Sequence, residues 1–491
     1  MTKVTLWLVF LFMQLFQTNM LFSQNSFQLK IGNAEFEERI FSCIEYIPNH
    51  CYYCCGNGYS NSEQGSGIIL RINSNGDTLV KFININNNHP LLMKIFPDEK
   101  NNQIILVGEV FNNTINNYEQ LIIGIDTICN IKWYKTIAFP PPFYSSDYNV
   151  LLLKKDGGFF LTGTIHNSNY TPVGLYIYDF NANYDTINSM YKYYNPDAPI
   201  PGSLTYNNDS TRLWVFGHGF LHNASVSQRL ELDTNLNIIR LQNFLPDCNH
   251  YQYTRWVSDS TLFTAANYIA NGPAPHEMDI SLSIIDSAIN INPRLIIGTP
   301  DTVNYLAISE GMDFITPDSI FILADNHIFS FWPMEYNYML LYLYSSTMQH
   351  YYTRYIGGDA YYTPTTLTAT SDGGCLITSY RYDYNVNYYE HDIMIWKLNH
   401  EGLITGNDVH NRKILFKSIV YPNPVYDKFT VETAEPVGEL SIFSVDGTFI
   451  LKQKLEGKYT SIPFQQYASG TYIFIITYRD GSSENGKLVK L

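Results

Sequence analysis

The stretch that decides the fold runs Val150–Thr164, VLLLKKDGGFFLTGT, followed after a polar gap by Gly174–Ile187, GLYIYDFNANYDTI. It reads as strand, tight turn, strand, loop, strand, turn and strand. The turns carry Asp156-Gly157-Gly158 and Asn181–Asp185, residue types that favour chain reversal by backbone freedom and by side-chain bonding to the main chain. Between them lie short apolar and aromatic runs of strand length.

Working outward, weaker copies of this pattern fill most of the chain. They cover 36–83, 91–137, 148–193, 202–243, 252–297, 304–356 and 362–404. A spacing of about 45–50 residues with four strands per copy suits the blade of a propeller. The reading is all-β: a seven-bladed β-propeller over 24–406, a linker at 407–414, and a small Ig-like β-sandwich over 415–491. Phe27–Ile31 has the character of a fourth strand with no first three before it. The last copy fades after Ile404. Phe27–Ile31 is therefore expected on the outer edge of the last blade, where it leaves no apolar sheet open.

Composition excludes several classes. Hydrophobic residues are 45% of 491, too many for a disordered chain, and charged residues are only 15%. With 40 Tyr and 29 Phe the chain favours strands. The 30 basic and 45 acidic residues give a net charge of −15, which argues against nucleic acid. At the N-terminus Lys3, an apolar run Leu6–Phe16 and Leu21-Phe22-Ser23 read as a signal peptide cleaved before Gln24. The run is shorter than the ~20 residues of a membrane span, and no transmembrane segment is expected in the mature chain.

Connections between first and second strands, and between third and fourth, are short. Those between second and third strands and between blades are longer, and in an up-and-down blade they share one face. Two readings of that face stand open: a binding surface, or connections lengthened by geometry. Candidate ligand-binding residues there are Tyr144, His166, Tyr170, His218, His222, Trp332, Tyr336, Tyr388 and Tyr389, with Tyr251, His327 and the pairs His276-Glu277 and His391-Asp392 on similar loops. Tyrosine and tryptophan stack on sugars or anchor proteins; they are also frequent throughout this chain. His218 and His222 would point the same way on an extended strand, but no third metal ligand is near in sequence. No metal, no cofactor and no catalytic residue is assigned. A nucleophile elbow, a phosphate-cradling glycine loop and His-Glu-x-x-His are all absent.

Cys43, Cys51, Cys54 and Cys55 cluster around a hairpin. A two-residue turn at Pro48-Asn49 sets Cys43 opposite Cys54, and a three-residue turn sets it opposite Cys55. A disulfide, free buried thiols and a zinc half-site at Cys51-x-x-Cys54 are the three readings. Cys129, Cys248 and Cys375 read as core residues.

Near the C-terminus come Tyr421-Pro422-Asn423-Pro424, Phe429-Thr430-Val431, Leu440–Ser444 with Asp446-Gly447, Ala468-Ser469-Gly470-Thr471-Tyr472 and Lys487–Leu491, the last including Lys490. In that order this segment resembles the type A C-terminal sorting domain of the type IX secretion system. The resemblance covers about the last 75 residues. It implies a small Ig-like sandwich, export through the periplasm and across a Gram-negative outer membrane, partnership with the type IX secretion machinery, and removal by a sortase that can attach cargo to the surface. The repeats look, less specifically, like bacterial propellers with Asp-Gly-Gly turns. Ser371–Gly374 matches part of a sialidase-type Asp box, but the Trp expected after it is missing. The reading is a secreted or cell-surface, non-enzymatic recognition or adhesion module for glycan or protein. The alternatives are a polysaccharide hydrolase or lyase, which needs clustered carboxylates at the channel mouth, and a structural surface-layer protein.

Overall fold

The computed structural model describes residues 26–32, 36–60, 65–86, 88–193, 199–221, 224–269, 278–298, 302–327, 336–383, 391–404, 413–414, 418–422, 424–433, 437–445, 448–457, 459–478 and 483–491. The proposed signal peptide lies outside them. The chain divides into two compact units, 1–413 and 414–491. Both are all-β, and the first is propeller-like.

The first unit begins with β1 (Phe27–Ile31). Groups of antiparallel strands follow. They are β2 (Phe36–Tyr46), β3 (Cys51–Ser60), β4 (Gly65–Asn73) and β5 (Thr78–Ile83); β6 (Leu91–Asp98), β7 (Gln103–Asn112), β8 (Asn117–Ile125) and β9 (Ile131–Ala138); β10 (Ser145–Leu153), β11 (Phe159–His166), β12 (Pro172–Phe180) and β13 (Thr186–Tyr193). Next come β14 (Ile200–Tyr206), β15 (Arg212–Leu221), β16 (Ala224–Asp233) and β17 (Ile238–Pro246); β18 (Cys248–Trp256), β19 (Thr261–Ile269), β20 (Met278–Asp286) and β21 (Ile291–Ile297). The remainder are β22 (Val303–Leu306), β23 (Met312–Asp313), β24 (Ile320–His327), β25 (Tyr338–Tyr344) and β26 (His350–Gly357); then β27 (Tyr361–Ala369), β28 (Cys375–Tyr382) and β29 (His391–Leu398). β1 pairs antiparallel with β29 over its whole length, from Phe27 opposite Lys397 to Ile31 opposite Ile393.

The second and third strands of each group are buried on both faces, which is why they read as continuous apolar runs. In β7, Ile104 and Leu106 pack toward Tyr53 and Ile69 of the preceding group, while Ile105 and Val107 pack toward Phe159 and Leu161 of the next. Equivalent cores join each group to its neighbour. The last joins the first, with Leu29, Ile31, Ile393 and Ile395 against Ile40, Cys54 and Ile68. Fourth strands are half exposed; β9 leaves Ile131 and Tyr134 in solvent.

The turn that follows each third strand repeats one construction. An Asn, Asp or Ser carboxamide, carboxylate or hydroxyl oxygen accepts the backbone N–H groups two and four residues on. Asn73, Asp126, Asn181, Asp233, Asp286, Ser345 and Asn399 all do this. This side-chain mimicry of a backbone turn fixes the hairpin.

A second recurrence is on the first strands. Their register with the second strand slips at Ile40/Ser42, Leu92/Lys94, Asp147/Val150, Pro201/Ser203, Asn249/Gln252 and Pro364/Thr366. Such bulges add twist and bend the strand. Between β22 and β23 the same interruption is enlarged to Ala307–Gly311. Near these bulges, buried polar groups latch neighbouring sheets together. Asn57 Oδ1 accepts from Leu92 N (2.7 Å), Glu109 Oε2 from Ser146 N (2.8 Å) and Asn267 Oδ1 from Leu306 N (3.0 Å).

The second unit has two sheets. Ser418–Tyr421, Lys428–Thr433 and Tyr459–Pro463 form one; Phe449–Glu456, Val437–Ser444, Gly470–Tyr478 and Ser483–Lys490 form the other. Phe429, Val431 and Ile462 of the first and Leu440, Ile442 and Ile476 of the second share one core.

Candidate functional site

The first strands surround a cavity of about 570 Å³ whose polar lining includes Lys94, Arg255, Ser309, Glu310, Asp313 and Thr368. The Ala307–Gly311 excursion produces its main feature. It leaves its own sheet and bonds to β27: Ile308 N to Pro364 O (3.1 Å), Ser309 N to Thr365 O (2.8 Å), and Leu367 N to Glu310 O (2.8 Å). Glu310 is thereby held in the cavity. Its carboxylate accepts from Lys94 Nζ on β6 (2.7 Å), Thr366 Oγ1 on β27 (2.8 Å) and Ser42 Oγ on β2 (3.4 Å). The pair Lys94–Glu310 thus ties strands from different groups across the cavity.

A second ion pair, Arg255–Asp313, lies along the same wall. Asp313 also accepts from Ala369 N (2.8 Å) and Phe314 N (2.9 Å), and the Arg255 guanidinium sits 4.2 Å from the Phe314 ring centroid. Burial pushes the Asp313 carboxyl above its ordinary value, with Arg255 opposing. Acid–base hydrolysis needs one carboxylate free to deliver a proton and another to activate water or attack. Glu310 and Asp313 are each committed to a cation. Sequence reasoning did not single them out; the signal was Ser309-Glu310-Gly311-Met312-Asp313, two carboxylates interrupting a first strand.

At the longer-loop ends, three of the residues singled out from sequence or their neighbours meet. The Tyr144 and Tyr170 rings pack edge to face at 5.2 Å, and both lie against Tyr118, at 5.6 and 6.5 Å. Tyr118 in turn packs on Phe111. Tyr144 N donates to His166 O (2.8 Å), tying the cluster to the end of β11. Tyr170 is 58% exposed. The hydrogen bond with Tyr170, then burial, raises the Tyr144 phenol above its ordinary value.

The histidines differ from expectation. His166, His327 and His391 close or open strands instead of standing in loops, because β11, β24 and β29 extend further than their apolar runs. His218 lies within β15, opposite Ile200. His166, His218 and His391 are buried. His391 stacks on Tyr382 at 4.9 Å, with its Nδ1 3.6 Å from Glu37. Burial lowers its pKa, with Glu37 opposing. His327 stacks on Tyr305 at 5.6 Å beside Asp325. Tyr336 is exposed at the entry to β25. His222, His276, Trp332, Tyr388 and Tyr389 lie outside the described residues.

The hairpin turn near the cysteines is a short 3₁₀ turn at Ile47–Asn49, with His50 left-handed at φ 51°, in place of the two-residue turn expected. The register sets Cys43 opposite Cys54 and Tyr46 opposite Cys51. All seven cysteines are buried thiols in this structure, Cys43 and Cys54 included, and burial raises the Cys43 thiol. Among the described residues no group of His, Cys, Asp or Glu is arranged to hold a metal.

In the second unit the two ends of the sorting motif come together. Val425, which follows Tyr421-Pro422-Asn423-Pro424, donates its N–H to Val489 O (2.7 Å) and accepts from Leu491 N (3.0 Å). The Lys490 ammonium lies 5.3 Å from the Tyr426 ring centroid. Tyr421 and Pro424 are exposed, while Tyr472 is buried with its hydroxyl donating to Ala468 O (2.8 Å). Gly470 pairs opposite Lys490, and Lys487, exposed, opposite Ile473. Asn423, Asp446 and Gly447 lie outside the described residues.

Residues 419–490 match the family model of the secretion system C-terminal sorting domain, which supports export by the type IX system. No curated protein matches. Solved structures similar to the chain share its all-β, propeller-like character. One, described as the extracellular domain of a one-component system from B. thetaiotaomicron, is 12% identical at a TM-score of 0.38, covering 94% of this chain and 57% of its own. The chain thus spans a little over half the length of that protein. The Dos1 propeller is 8% identical at 0.39, covering 75% and 95%. The β-propeller domain of the Trilobed protease from Pyrococcus furiosus is 12% identical at 0.34, covering 77% and 96%. Among the described residues no helix is long and apolar enough to cross a membrane.

Proposed function

We propose that this chain is cargo of the type IX secretion system and that its first unit is a seven-bladed β-propeller acting outside the cell as a non-enzymatic recognition module. Residues 1–23 are its signal peptide, Phe27–Ile31 the strand that closes the last blade, 407–414 the linker, and the Ig-like sandwich 415–491 the segment read by the secretion machinery and its sortase. The sorting-domain match at 419–490 carries the export reading. The observation that carries recognition without catalysis is the commitment of Glu310 and Asp313 to Lys94 and Arg255. The exposed phenol of Tyr170, backed by Tyr144 and Tyr118, favours a ligand with a flat apolar face, glycan or protein. Cys43 and Cys54, facing each other across the ladder, form a disulfide once exported in this reading; non-reducing peptide mapping of the secreted protein tests it.

The deciding experiment presents the secreted protein to a glycan array and to a panel of soluble polysaccharides, with released reducing ends measured in parallel. Binding with no release is the expected result. Release would turn the reading to a hydrolase, and neither binding nor release to a structural surface-layer protein.

A further inference from the structure

A groove of about 610 Å³ separates β26 from the last sheet of the first unit, within the size range of small-ligand sites. Its walls are Tyr355 and Ile356 on one side and Tyr362, Arg381 and Trp396 on the other. Tyr355 in this wall is 57% exposed, and its ring lies 5.8 Å from and near perpendicular to that of Tyr338, itself 43% exposed. Two consecutive glycines press against Tyr362 in the groove wall and against Tyr338. Gly357 and Gly358 are left-handed, at φ 96° and 90°. A Cβ at Gly357 would fall 2.7 Å from the Tyr362 ring, and one at Gly358 2.3 Å from the Tyr338 ring. The backbone is pressed against both aromatics as only glycine allows.

Beside the rings lies a hydrogen-bonding network. Tyr362 Oη donates to Asp359 Oδ1 (2.6 Å), while Arg381 Nε donates to Tyr362 Oη (3.2 Å) and its terminal nitrogen to Asp359 Oδ2 (3.2 Å). Burial opposes charge on Asp359, but Tyr362 and Arg381 together hold its carboxyl below the ordinary value. The Asp359 side chain is still 67% exposed, so it retains acceptor capacity toward solvent.

Of the three cations at the groove, two are already paired with carboxylates and the third is bonded to backbone. Arg381 also meets Asp383 (3.3 Å), and Lys30 meets Asp392 (2.5 Å). Arg354 donates to Glu401 O (2.9 Å) and lies over Tyr352. An anion at Arg381 or Lys30 would have to displace one of these carboxylates. A polyhydroxylated, uncharged ligand would not: its ring face can lie on a tyrosine while its hydroxyls meet Asp359 and Arg381.

We propose that this groove binds an uncharged glycan. The proposal rests on the recognition reading above but places the site between two sheets instead of at the Tyr144–Tyr170 cluster. The test is affinity electrophoresis of the secreted protein through gels containing a neutral glucan, mannan or xylan, or polygalacturonate or heparin. Tyr355→Ala, Tyr355→Phe, Asp359→Asn and Tyr170→Ala are compared, with thermal melts to check folding. The expected result is retardation by a neutral polysaccharide, weakened about tenfold or more by Tyr355→Ala, weakened by Asp359→Asn, and kept by Tyr355→Phe and Tyr170→Ala. Retardation lost in Tyr170→Ala but kept in Tyr355→Ala overturns the groove and leaves the recognition reading intact. Retardation by the charged polymers alone overturns the proposal on ligand class. No retardation by any polysaccharide overturns glycan recognition itself.

Discussion

Leu236 stands at φ 64°, a conformation that costs a non-glycine residue about 1–2 kcal/mol. It occupies the fourth position of an Asx-type turn. The matching positions hold Cys129, Tyr184, Ile289 and Met348, all with positive φ, alongside Gly76 and Gly402. The five non-glycine side chains reach back into the core between their own sheet and the one before. Burial of the side chain offsets the backbone strain. At Leu236 the usual order of small substitutions should therefore reverse. Leu236→Ala loses the buried side chain and keeps the strain, at about 2–4 kcal/mol. Leu236→Gly loses the same contacts but relieves the strain, and should be the more stable of the two by about 1 kcal/mol in urea unfolding. Alanine proving the more stable would refute the offset. Lys397 offers a test by pH. It is fully buried, and its ammonium reaches Asp372 (2.8 Å) and Leu398 O (2.9 Å). Burial opposes the Asp372 charge, yet Lys397 and Thr370 hold its carboxyl below the ordinary value. A depressed carboxyl contributes stability above its unfolded pKa of about 3.9 and loses it as pH falls through the lower folded value. Stability should hold down to about pH 4 on this account and then fall. Asp372→Asn should cost about 3–5 kcal/mol at pH 7, because it strands a buried cation, and should flatten the acid limb. An unchanged acid limb in that variant would count against the pair.

Strands were legible where one periodicity served one purpose. The runs Ile104–Val107 in β7, Phe159–Leu161 in β11 and Ile320–Ala324 in β24 are apolar because both faces are covered, and their spacing exposed the repeat. Strand ends were not legible, since His327 and His391 are polar residues stacked on tyrosines of other strands and His166 is buried at the end of β11, none of which the local sequence displays. Nor were the bulges, because a slip of one or two residues in register leaves no compositional mark. The enlarged interruption at Ala307–Gly311 looks in sequence like any polar gap. Its meaning lies in bonds to Pro364, Thr365 and Leu367 on another strand. β1 is the element whose role can be weighed directly. Phe27, Leu29 and Ile31 are nearly inaccessible and share a core with Ile40, Cys54 and Ile68 of the following group. Leu29→Ala should cost about 3 kcal/mol, and removal of 27–31 should strip the edge of β29 and lower the thermal midpoint sharply. A midpoint unmoved by that deletion in circular dichroism would deny β1 any closing role.

On the scale of the whole molecule, destination was more legible than activity. The sorting motif is local in sequence: Tyr421-Pro422-Asn423-Pro424 and Lys487–Leu491 are short, ordered and chemically specific. The features of the first unit that bear on binding are assembled from distant residues. Tyr355 meets Arg381 and Gln28 around one groove, and Lys94 meets Glu310 across a cavity, so no window of sequence contains either site. What the structure adds to the motif is that its two ends form one surface. Val425 is bonded on both sides to the last strand, through Val489 and Leu491, and Leu488 lies in the core of the second unit with Phe429 and Ile442. Deleting 486–491 removes the partners of Phe474 through Gly470 and both bonds of Val425. The segment after Pro424 then loses its anchor, so both ends of the motif are disturbed even though only one is deleted. Two variants separate recognition from folding. The deletion should leave the chain in the periplasm with its second unit protease-sensitive. Lys487→Ala, at an exposed position, should leave that unit folded, and any export defect it shows reports recognition alone. Fractionation with antibody against the first unit reads both. Normal delivery of the deletion variant to the surface or medium would refute the sorting role of the C-terminal strand.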